Sequence, residues 1–416
     1  MNITTRIYTH VEDISSSLWD SLAEHAPVFY NHAWFKTFED QTSNEPVYIT
    51  AYHNNKLVGI LPGFVVKDPC AYIFHNPRDV IFSSRFLSQA AEVKDCHHVV
   101  KLIKKYHGWI VPLLNKFFFP SLVFVSPYAY INDILVAASV ESKNEVVDKL
   151  FEEAYRFVSN NNIKTMLFAW VSHTNKYLVE KLMSEKFVTA YGQPFFILKT
   201  NFNSFDEYLS SIGHKRCNMV RGEIRKFLRN DIVIKKCKDV FEFSEYKYRF
   251  AELLTQHMQR HGNNAECNKQ LKILEQLFLG FNGGADVYYA KKGDEIVSFL
   301  MSFNKGGIAY PKYYANEYTM KGINQNYFQM IFYNLIGEKI KEKHKAIYYG
   351  FSSEEPKLIR GCQSYNACNY FNLMKPRLNK LLGKFLVQYN WARKKYYELK
   401  YGQLVLEEKD SFLLDD

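Results

Sequence analysis

The chain has 416 residues, 47% of them hydrophobic and 23% charged, which is typical of a globular protein with two or three domains. Its 12 prolines and 19 glycines are too few for a fibrous or low-complexity protein. The net charge of +10 favours polyanionic partners such as nucleic acid, phosphorylated cofactors or anionic lipid, although it also serves plain solubility.

The cysteines and the chain termini exclude several further classes. Seven cysteines without any Cys-x-x-Cys pair indicate neither a disulfide framework nor a zinc site, so we expect free thiols and no metal. The N-terminus shows no secretory signal, and the most apolar stretch, 108–125, is interrupted by prolines and polar residues. We therefore expect a cytoplasmic protein without stable membrane insertion.

The first half of the chain alternates strands and helices. Apolar runs at 47–52 and 57–66, separated by a His-Asn-Asn-Lys turn, predict a β-hairpin. Periodicity and turn residues predict the elements that follow. These are a strand at 121–125, a helix at 144–160, a strand at 163–168, a helix at 174–184, and a strand pair over 187–198 with a turn at Gly192-Gln193-Pro194.

A basic segment lies between the two halves. Ser204 and Glu207 have the spacing of a capping box, and a basic amphipathic helix over 214–227 follows. Its basic residues are polyanion-binding candidates, with a solvated helix face as the alternative. They are Lys215, Arg216, Arg221, Arg225 and Lys226. A further helical region, 241–281, is broken near 261–264.

The second half repeats the order of the first. The predicted elements are a hairpin at 286–290 and 295–303, a strand at 308–315, a helix at 324–343, a strand at 345–350 and a C-terminal helix at 375–401. This order predicts an α/β fold with two domains in tandem, each a mixed, mostly antiparallel sheet flanked by helices. The predicted boundaries are 1–200, a basic helical linker at 201–282, and 283–416.

Several segments resemble the GNAT superfamily of acyltransferases. The hairpins YITAYHNNKLVGILPGF and DVYYAKKGDEIVSFLMSF look like its second and third strands, and EKLMSEKFVTA looks like its late helix-to-strand passage. The segment FDEYLSSIGHKRCNMVRGEIRKF is similar to the stretch that joins two GNAT domains in Fem-like and BioF2-like proteins.

The segment EEPKLIRGCQSYNACNYF resembles the end of proteins of the peptidoglycan-biosynthesis type. Lys357, Arg360, Gly361 and Ser364 match the pattern of that family, and Asn366 stands where the family has His. The resemblance covers nearly the whole chain. It implies two GNAT-like domains and the transfer of an acyl group.

The identity of the acyl donor is left open by the phosphate-binding loops. CoA-dependent GNAT enzymes carry a basic, glycine-rich loop, because glycines let backbone N–H groups approach a pyrophosphate at a helix N-terminus. The corresponding loop 316–326 holds one Gly and one Lys, and 142–144 holds no Gly. This departure raises aminoacyl-tRNA, the donor of Fem-like relatives, beside acyl-CoA. Either would act as a co-substrate, with no cofactor staying bound.

The fourth strand of the second domain, YPKYYAN, supplies the first site candidates. Lys312, Tyr313 and Tyr314 border the place where GNAT folds bind the donor, and Tyr314 is a candidate to protonate the leaving thiolate or hydroxyl. The alternative is that alternating tyrosines pack the sheet.

Charged residues after the next strand supply the others. Glu354 is a candidate general base, or else a carboxylate that stabilises a helix N-terminus. Lys357, Arg360 and Ser364 are candidates to bind a carboxylate or phosphate of the substrate, with surface solvation as the alternative. His257 and His261 lack a third metal ligand and are interpreted as structural or surface residues.

Two functions follow from these observations. The first is an N-acyltransferase that joins an acyl or aminoacyl group to an amine of a small molecule, a peptide or a cell-wall precursor, with tRNA as a further partner. The second is a catalytically silent tandem-GNAT protein that recognises an acylated or anionic partner. Neither the acceptor nor the oligomeric state follows from the sequence.

Overall fold

The computed structural model describes residues 2–39, 41–42, 44–69, 75–319 and 324–402. The chain divides into two compact units. The first unit contains residues up to Phe195 together with those from Ser364 onward, and the second contains Phe196–Gln363.

The part of the chain before residue 200 contains seven strands and eight helices within the described residues. The strands are β1 (Ile3–Tyr8), β2 (Glu45–His53), β3 (Lys56–Val66), β4 (Ser121–Phe124), β5 (Leu135–Val136), β6 (Thr165–Ser172) and β7 (Val188–Lys199). The helices are α1 (Ser16–Leu22), α2 (His32–Glu39), α3 (Asp79–Phe82), α4 (Ser84–Ala91), α5 (His98–Lys105), α6 (His107–Phe118), α7 (Lys143–Asn160) and α8 (Lys176–Ser184).

The rest of the described chain adds six strands and eight helices. The strands are β8 (Ile232–Lys236), β9 (Ala285–Lys292), β10 (Glu295–Lys305), β11 (Ile308–Asn316), β12 (Ala346–Gly350) and β13 (Gln363–Leu373). The helices are α9 (Phe205–Ser211), α10 (His214–Leu228), α11 (Val240–Arg260), α12 (Cys267–Gly280), α13 (Asn324–Phe328), α14 (Leu335–Lys341), α15 (Glu354–Ile359) and α16 (Pro376–Tyr401). A π-helical segment, Gln329–Asn334, joins α13 to α14.

Each unit contains a mixed sheet with one parallel strand pair. In the first unit the strand order is β1-β2-β3-β4-β6-β13-β7, with β4 and β6 parallel. In the second unit the order is β8-β9-β10-β11-β12, and β12 also pairs with the last four residues of β7. There β11 and β12 are parallel and the other neighbours are antiparallel. The predicted fold class, a mixed and mostly antiparallel α/β arrangement, is confirmed.

The hairpin turns follow from local sequence. Asn54 and Asn55 both have positive φ, 50° and 62°, as the turn between β2 and β3 requires. In the β9–β10 hairpin, Gly293 takes the corresponding positive φ of 59°. Both turns match the twist of the strands they join, and both hairpins were predicted from these residues.

Helix α7 shows why the first core forms. Val146, Val147, Leu150 and Ala154 are fully buried along the face that the sequence predicts, and they belong to one cluster with the sheet residues of β2, β3 and β6. Burial of each large aliphatic side chain contributes about 1.5–3 kcal/mol. Ser142 begins the helix by accepting a hydrogen bond from the backbone N–H of Glu145.

The prediction of a turn at Gly192-Gln193-Pro194 is wrong, because β7 continues through these residues as one strand. A Cβ at Gly192 would come within 2.8 Å of the Ala367 carbonyl oxygen and 2.9 Å of the Trp170 ring. The glycine therefore permits close approach inside the sheet and marks no turn. Strand β13 was not predicted at all.

The capping box at Ser204 is present, but it begins a separate short helix. Ser204 Oγ accepts the N–H of Glu207 at 3.1 Å, and α9 ends at Ser211. Gly213, with φ of +86°, then separates α9 from the basic helix α10. The positive φ interrupts helical continuity at a position that tolerates it because it has no side chain.

The compact units are drawn differently from the predicted domains 1–200, 201–282 and 283–416. Strand β13 pairs with β6 of the first unit, for example Leu373 with Thr165, so the C-terminal part of the chain belongs to that unit. The basic segment 201–282 lies within the second unit. The predicted boundaries stay predictions about domains.

Candidate functional site

The candidate site lies in the second unit, where two parallel strands separate. Strands β11 and β12 pair only at Ile308–Ala346 and Ala309–Ile347 within the described residues. Beyond this point a cavity of about 150 Å³ lies between structural elements of this unit. Its polar lining is Lys312, Tyr314, Tyr327, Ser353 and Lys357, and its apolar lining is Leu300, Pro311, Ile331, Phe332, Tyr349 and Phe351.

A wide helical turn forms one wall of this cavity. Ile331 and Phe332 belong to the π-helical segment, and the Phe332 ring stacks on Tyr349 at 4.8 Å. Insertion of a π turn into an α-helix is rare and is frequent at functional sites. The helix predicted over 324–343 thus contains an irregularity that periodicity alone does not reveal.

Tyr314 presents a hydroxyl that none of the described residues satisfies. The hydroxyl oxygen is buried without a hydrogen-bond partner, and the ring lies 5.4 Å from Tyr327 and 6.4 Å from His257. Burial raises the pKa of Tyr314 well above its usual value, so the group stays protonated. A protonated hydroxyl facing a cavity can donate a hydrogen bond to a ligand oxygen or sulfur.

Lys312 and Tyr313 differ in position although they are adjacent. Lys312 lines the cavity, and burial lowers the pKa of its ammonium to about 8. Tyr313 is not among the lining residues, because successive side chains of a strand point to opposite faces. The predicted donor-binding pair is therefore only half represented in the cavity.

Lys357 is held by the end of β12. Its ammonium donates to the carbonyl oxygens of Tyr349, Gly350 and Phe351 at 2.9, 3.1 and 2.8 Å. Burial lowers the pKa of Lys357 to about 8, against the opposing effect of neighbouring acidic groups. Three bonds use the three N–H donors, so in this structure Lys357 fixes the strand end beside the cavity.

The backbone after β12 is unusual. Ser352 and Ser353 adopt positive φ values of 59° and 51°, a conformation that costs free energy for residues with a side chain. Ser353 lines the cavity and its side chain is hydrogen-bonded to Tyr327. Sequence reasoning missed both residues; Tyr327 looked like an inward-facing helix residue, and nothing marked Ser353.

Arg360 lies in a buried network. Its guanidinium donates to the Tyr333 hydroxyl at 2.9 Å, the Pro356 carbonyl at 3.0 Å and the Glu223 carboxylate at 2.6 Å. The Phe328 ring lies 4.0 Å from the guanidinium carbon. With its side chain only 2% exposed, Arg360 ties α10 to the region after β12.

Glu354 and Ser364 stand apart from the cavity lining. Glu354 is buried in the first turn of α15, where a carboxylate stabilises the helix dipole, and Lys357 is close enough to feel its charge. Ser364 is buried on β13, which belongs to the first unit. Their predicted roles as base and substrate ligand stay predictions.

The basic helix α10 presents its cations outward. Cys217, Val220 and Phe227 form its buried stripe, while the opposite face carries exposed basic residues. Lys215, Arg221, Arg225 and Lys226 are exposed, and Arg216 is half-buried. Arg221 lies 3.8 Å from Asp206, an exposed pair of little strength.

His257 is more than a surface residue. Its Nδ1 is hydrogen-bonded to the Tyr318 hydroxyl, and its ring lies beside Tyr314. Burial lowers the pKa of His257 to about 4, with His261 and Arg260 contributing in the same direction. The imidazole is therefore neutral near pH 7. The candidate phosphate loop at 316–326 includes residues 320–323, which lie outside the described residues.

The corresponding parallel pair of the first unit is closed. Strands β4 and β6 pair at four positions, from Ser121–Thr165 to Phe124–Phe168. Asn132 then bridges to Val171, and its side-chain amide donates to the Phe124 carbonyl at the end of β4. Asn132 thus fills the position at which the strands of the second unit separate.

Within the described residues, none of the helices combines the length and the apolar character needed to cross a bilayer. No match to this chain was found among curated proteins. Solved structures provide the comparisons of fold.

The crystal structure of FemX aligns with a TM-score of 0.56 at 11% identity, covering 92% of this chain and 100% of that one. A tandem GNAT protein from the clavulanic acid biosynthesis pathway gives 0.44 at 8% identity, over 89% and 98%. L-PGS from Bacillus licheniformis gives 0.43 at 12% identity, over 64% and 82%. The likeness to FemX shows a shared fold.

The sequence itself matches a family model over residues 112–404, more than half of the chain. That family is FemAB-like, described as acting in peptidoglycan biosynthesis or recognition. The resemblance to Fem-like proteins is thereby confirmed, and the chain belongs to the FemAB-like family.

Proposed function

We propose that this protein is an N-acyltransferase of peptidoglycan biosynthesis that forms an amide bond on an amine of a cell-wall precursor. The reaction would occur in the cavity between β11 and β12. The buried, unpartnered Tyr314 hydroxyl at this cavity is the observation that carries the proposal. Family membership supports the biosynthetic context, and it leaves the donor open.

The chemistry needs few groups. The acceptor amine attacks the carbonyl carbon of an ester or thioester, a C–N bond forms, and the C–O or C–S bond to the donor breaks. The amine loses a proton, and the leaving oxygen or sulfur gains one. Tyr314, kept protonated by burial, is suited to supply the proton to the leaving group or a hydrogen bond to the oxyanion.

Lys357 and Ser353 would act by position. Lys357 fixes the carbonyls at the end of β12, and Ser353 orients the Tyr327 hydroxyl at the cavity. Lys312, whose pKa burial lowers to about 8, is partly neutral under mildly alkaline conditions and is the candidate acceptor of the amine proton. Glu354 is the alternative base, since it is buried close to this region.

The exposed basic face of α10 favours aminoacyl-tRNA as donor, because an RNA backbone meets cations without needing a pyrophosphate loop. The acyl-CoA alternative requires such a loop. Both donors deliver the acyl group to the same kind of carbonyl chemistry.

The test measures transfer of a radiolabelled aminoacyl group from tRNA, and in parallel a labelled acyl group from CoA, to a cell-wall-precursor peptide with a free amine. We expect Tyr314→Phe to lower kcat by about 10²–10³-fold with little change in donor affinity. Tyr389→Phe is the matched control, because that hydroxyl is also buried and unpartnered but lies on α16 of the first unit.

Equal rates for the Tyr314→Phe variant and the wild type would refute the role of this hydroxyl. Consumption of neither donor, together with saturable binding of one of them, would instead favour the silent binding protein.

A further inference from the structure

Two consecutive helices of the first unit leave large apolar side chains in solvent. On α5 and α6 the exposed fractions are 49% for Leu102, 82% for Trp109 and 65% for Leu113, with 44% for Tyr106 between the helices. Trp109 and Leu113 are four residues apart and so share one face of α6. We call these four residues the α5–α6 face. Exposed apolar side chains grouped in this way mark interaction surfaces.

An apolar groove continues this surface. A cavity of about 500 Å³ lies between α5–α6 and α16, and its walls include Ile103, Ile110, Leu114 and Phe385. Leu381 lines it from α16 while remaining 65% exposed. Nearly all of its lining is aliphatic or aromatic.

The charge around this surface has one sign. The stretch 97–119 contains four lysines and neither Asp nor Glu, and the stretch 375–395 contains seven basic residues and again no acid. Exposed examples are Lys104 and Lys105 on α5, Lys116 on α6, and Lys380 and Lys384 on α16. None of these five forms an ion pair with another described residue.

We propose that the α5–α6 face binds the surface of an anionic phospholipid bilayer. Trp and Leu side chains on a lysine-rich helix are the composition of helices that lie in the plane of a membrane interface, where tryptophan is enriched. The lysines would meet lipid phosphates while Trp109 and Leu113 enter the boundary of the acyl region. No spanning segment is needed.

Charge argues against a second copy of the chain as the occupant. In a symmetric pair the same patch faces itself, so two lysine-rich surfaces without acids would repel each other. An anionic lipid surface offers the opposite charge and an apolar layer beneath it. The inference is independent of acyl transfer, and its test measures only binding.

The experiment uses the full chain and sedimentation with two kinds of vesicles, phosphatidylcholine alone and phosphatidylcholine mixed with phosphatidylglycerol. We expect binding to the mixed vesicles, weakened by salt, and little binding to the neutral ones. Trp109→Ser combined with Leu113→Ser should reduce the partition coefficient by at least about tenfold, because each side chain leaves apolar surroundings. Lys104→Glu combined with Lys105→Glu should reduce it by about tenfold as well.

The matched control is Phe241→Ser, which removes an equally exposed aromatic residue (81%) from the second unit. It should bind as the wild type does. All these residues are exposed, so unchanged thermal melting is expected for every variant and separates binding from folding.

Three outcomes would overturn the proposal. One is no vesicle binding by the wild type, and another is an equal loss of binding in the Phe241→Ser control. The third is a concentration-dependent dimer of the wild type that Trp109→Ser abolishes, which would assign the α5–α6 face to a second copy.

Discussion

Replacing Arg360 with methionine separates a structural role from a ligand-binding role. The sequence pattern suggests that Arg360 binds a substrate anion, whereas the structure uses its guanidinium inside the protein. The substitution keeps an unbranched apolar stem of similar reach and removes the bonds to Tyr333, Pro356 and Glu223. Glu223 then keeps the Tyr333 hydroxyl as its partner.

The expected cost follows from burial. Removing one partner of a buried ion pair costs about 3–5 kcal/mol. Arg360 is 2% exposed and Glu223 24%, so partial hydration of the remaining carboxylate places the expected loss near 3 kcal/mol. For a unit of this size each kcal/mol lowers the melting midpoint by about 2–4 °C, so the midpoint should fall by roughly 6–12 °C.

Circular dichroism is the appropriate probe, because all five tryptophans lie outside the second unit. Arg225→Met is the control, since Arg225 is exposed on the same helix as Glu223. If Arg360→Met melts like Arg225→Met and loses donor binding, the guanidinium is a substrate ligand and the structural argument fails. A large loss of stability with unchanged affinity in the folded fraction supports the argument.

Three further outcomes are expected. Lys357→Met should lower the free energy of unfolding by about 1.5–3 kcal/mol in urea titrations, as its charged bonds to three carbonyls are lost; no change would mean that the strand end holds itself. Burial lowers the pKa of Lys312 from 10.5 to about 8, so between these pH values the unfolded chain binds the extra proton and the free energy of unfolding rises with pH. Lys312→Met should lack that rise, and an identical pH profile would contradict the burial. Arg221→Ala with Arg225→Ala should weaken tRNA binding in filter assays and reduce its salt slope by roughly 1.5, whereas an unchanged slope would remove α10 from the RNA interface.

Local features of the fold were predictable because neighbouring residues determine them. The Asn54-Asn55 turn and the apolar face of α7 both depend on contacts within a few residues. Strand β13 was missed because its helix-to-strand context gives no alternating pattern, and its partner β6 lies about 200 residues earlier in the chain. Gly192 misled the prediction because close packing and turns both favour glycine.

The site was only partly predictable for the same reason. Tyr314 was found because a strand of known order places it at the cavity. The role of Arg360 was not, because its partner Glu223 is 137 residues away on a helix that looked simply basic. Ser353 and the π-helical segment carry no compositional signal, since positive φ at serine and an inserted helical residue arise from tertiary packing.

The contrast between the two parallel strand pairs explains why chemistry is assigned to the second unit. In the first unit Asn132 satisfies the Phe124 carbonyl at the point where β4 ends, and its backbone bridges to β6. In the second unit the strand-end carbonyls are satisfied by Lys357, which lies to the side and leaves the space between the strands for a ligand. A strand end must satisfy its buried carbonyls in either case. Which group does so therefore decides whether the gap is filled or becomes a cavity with Tyr314 at its wall.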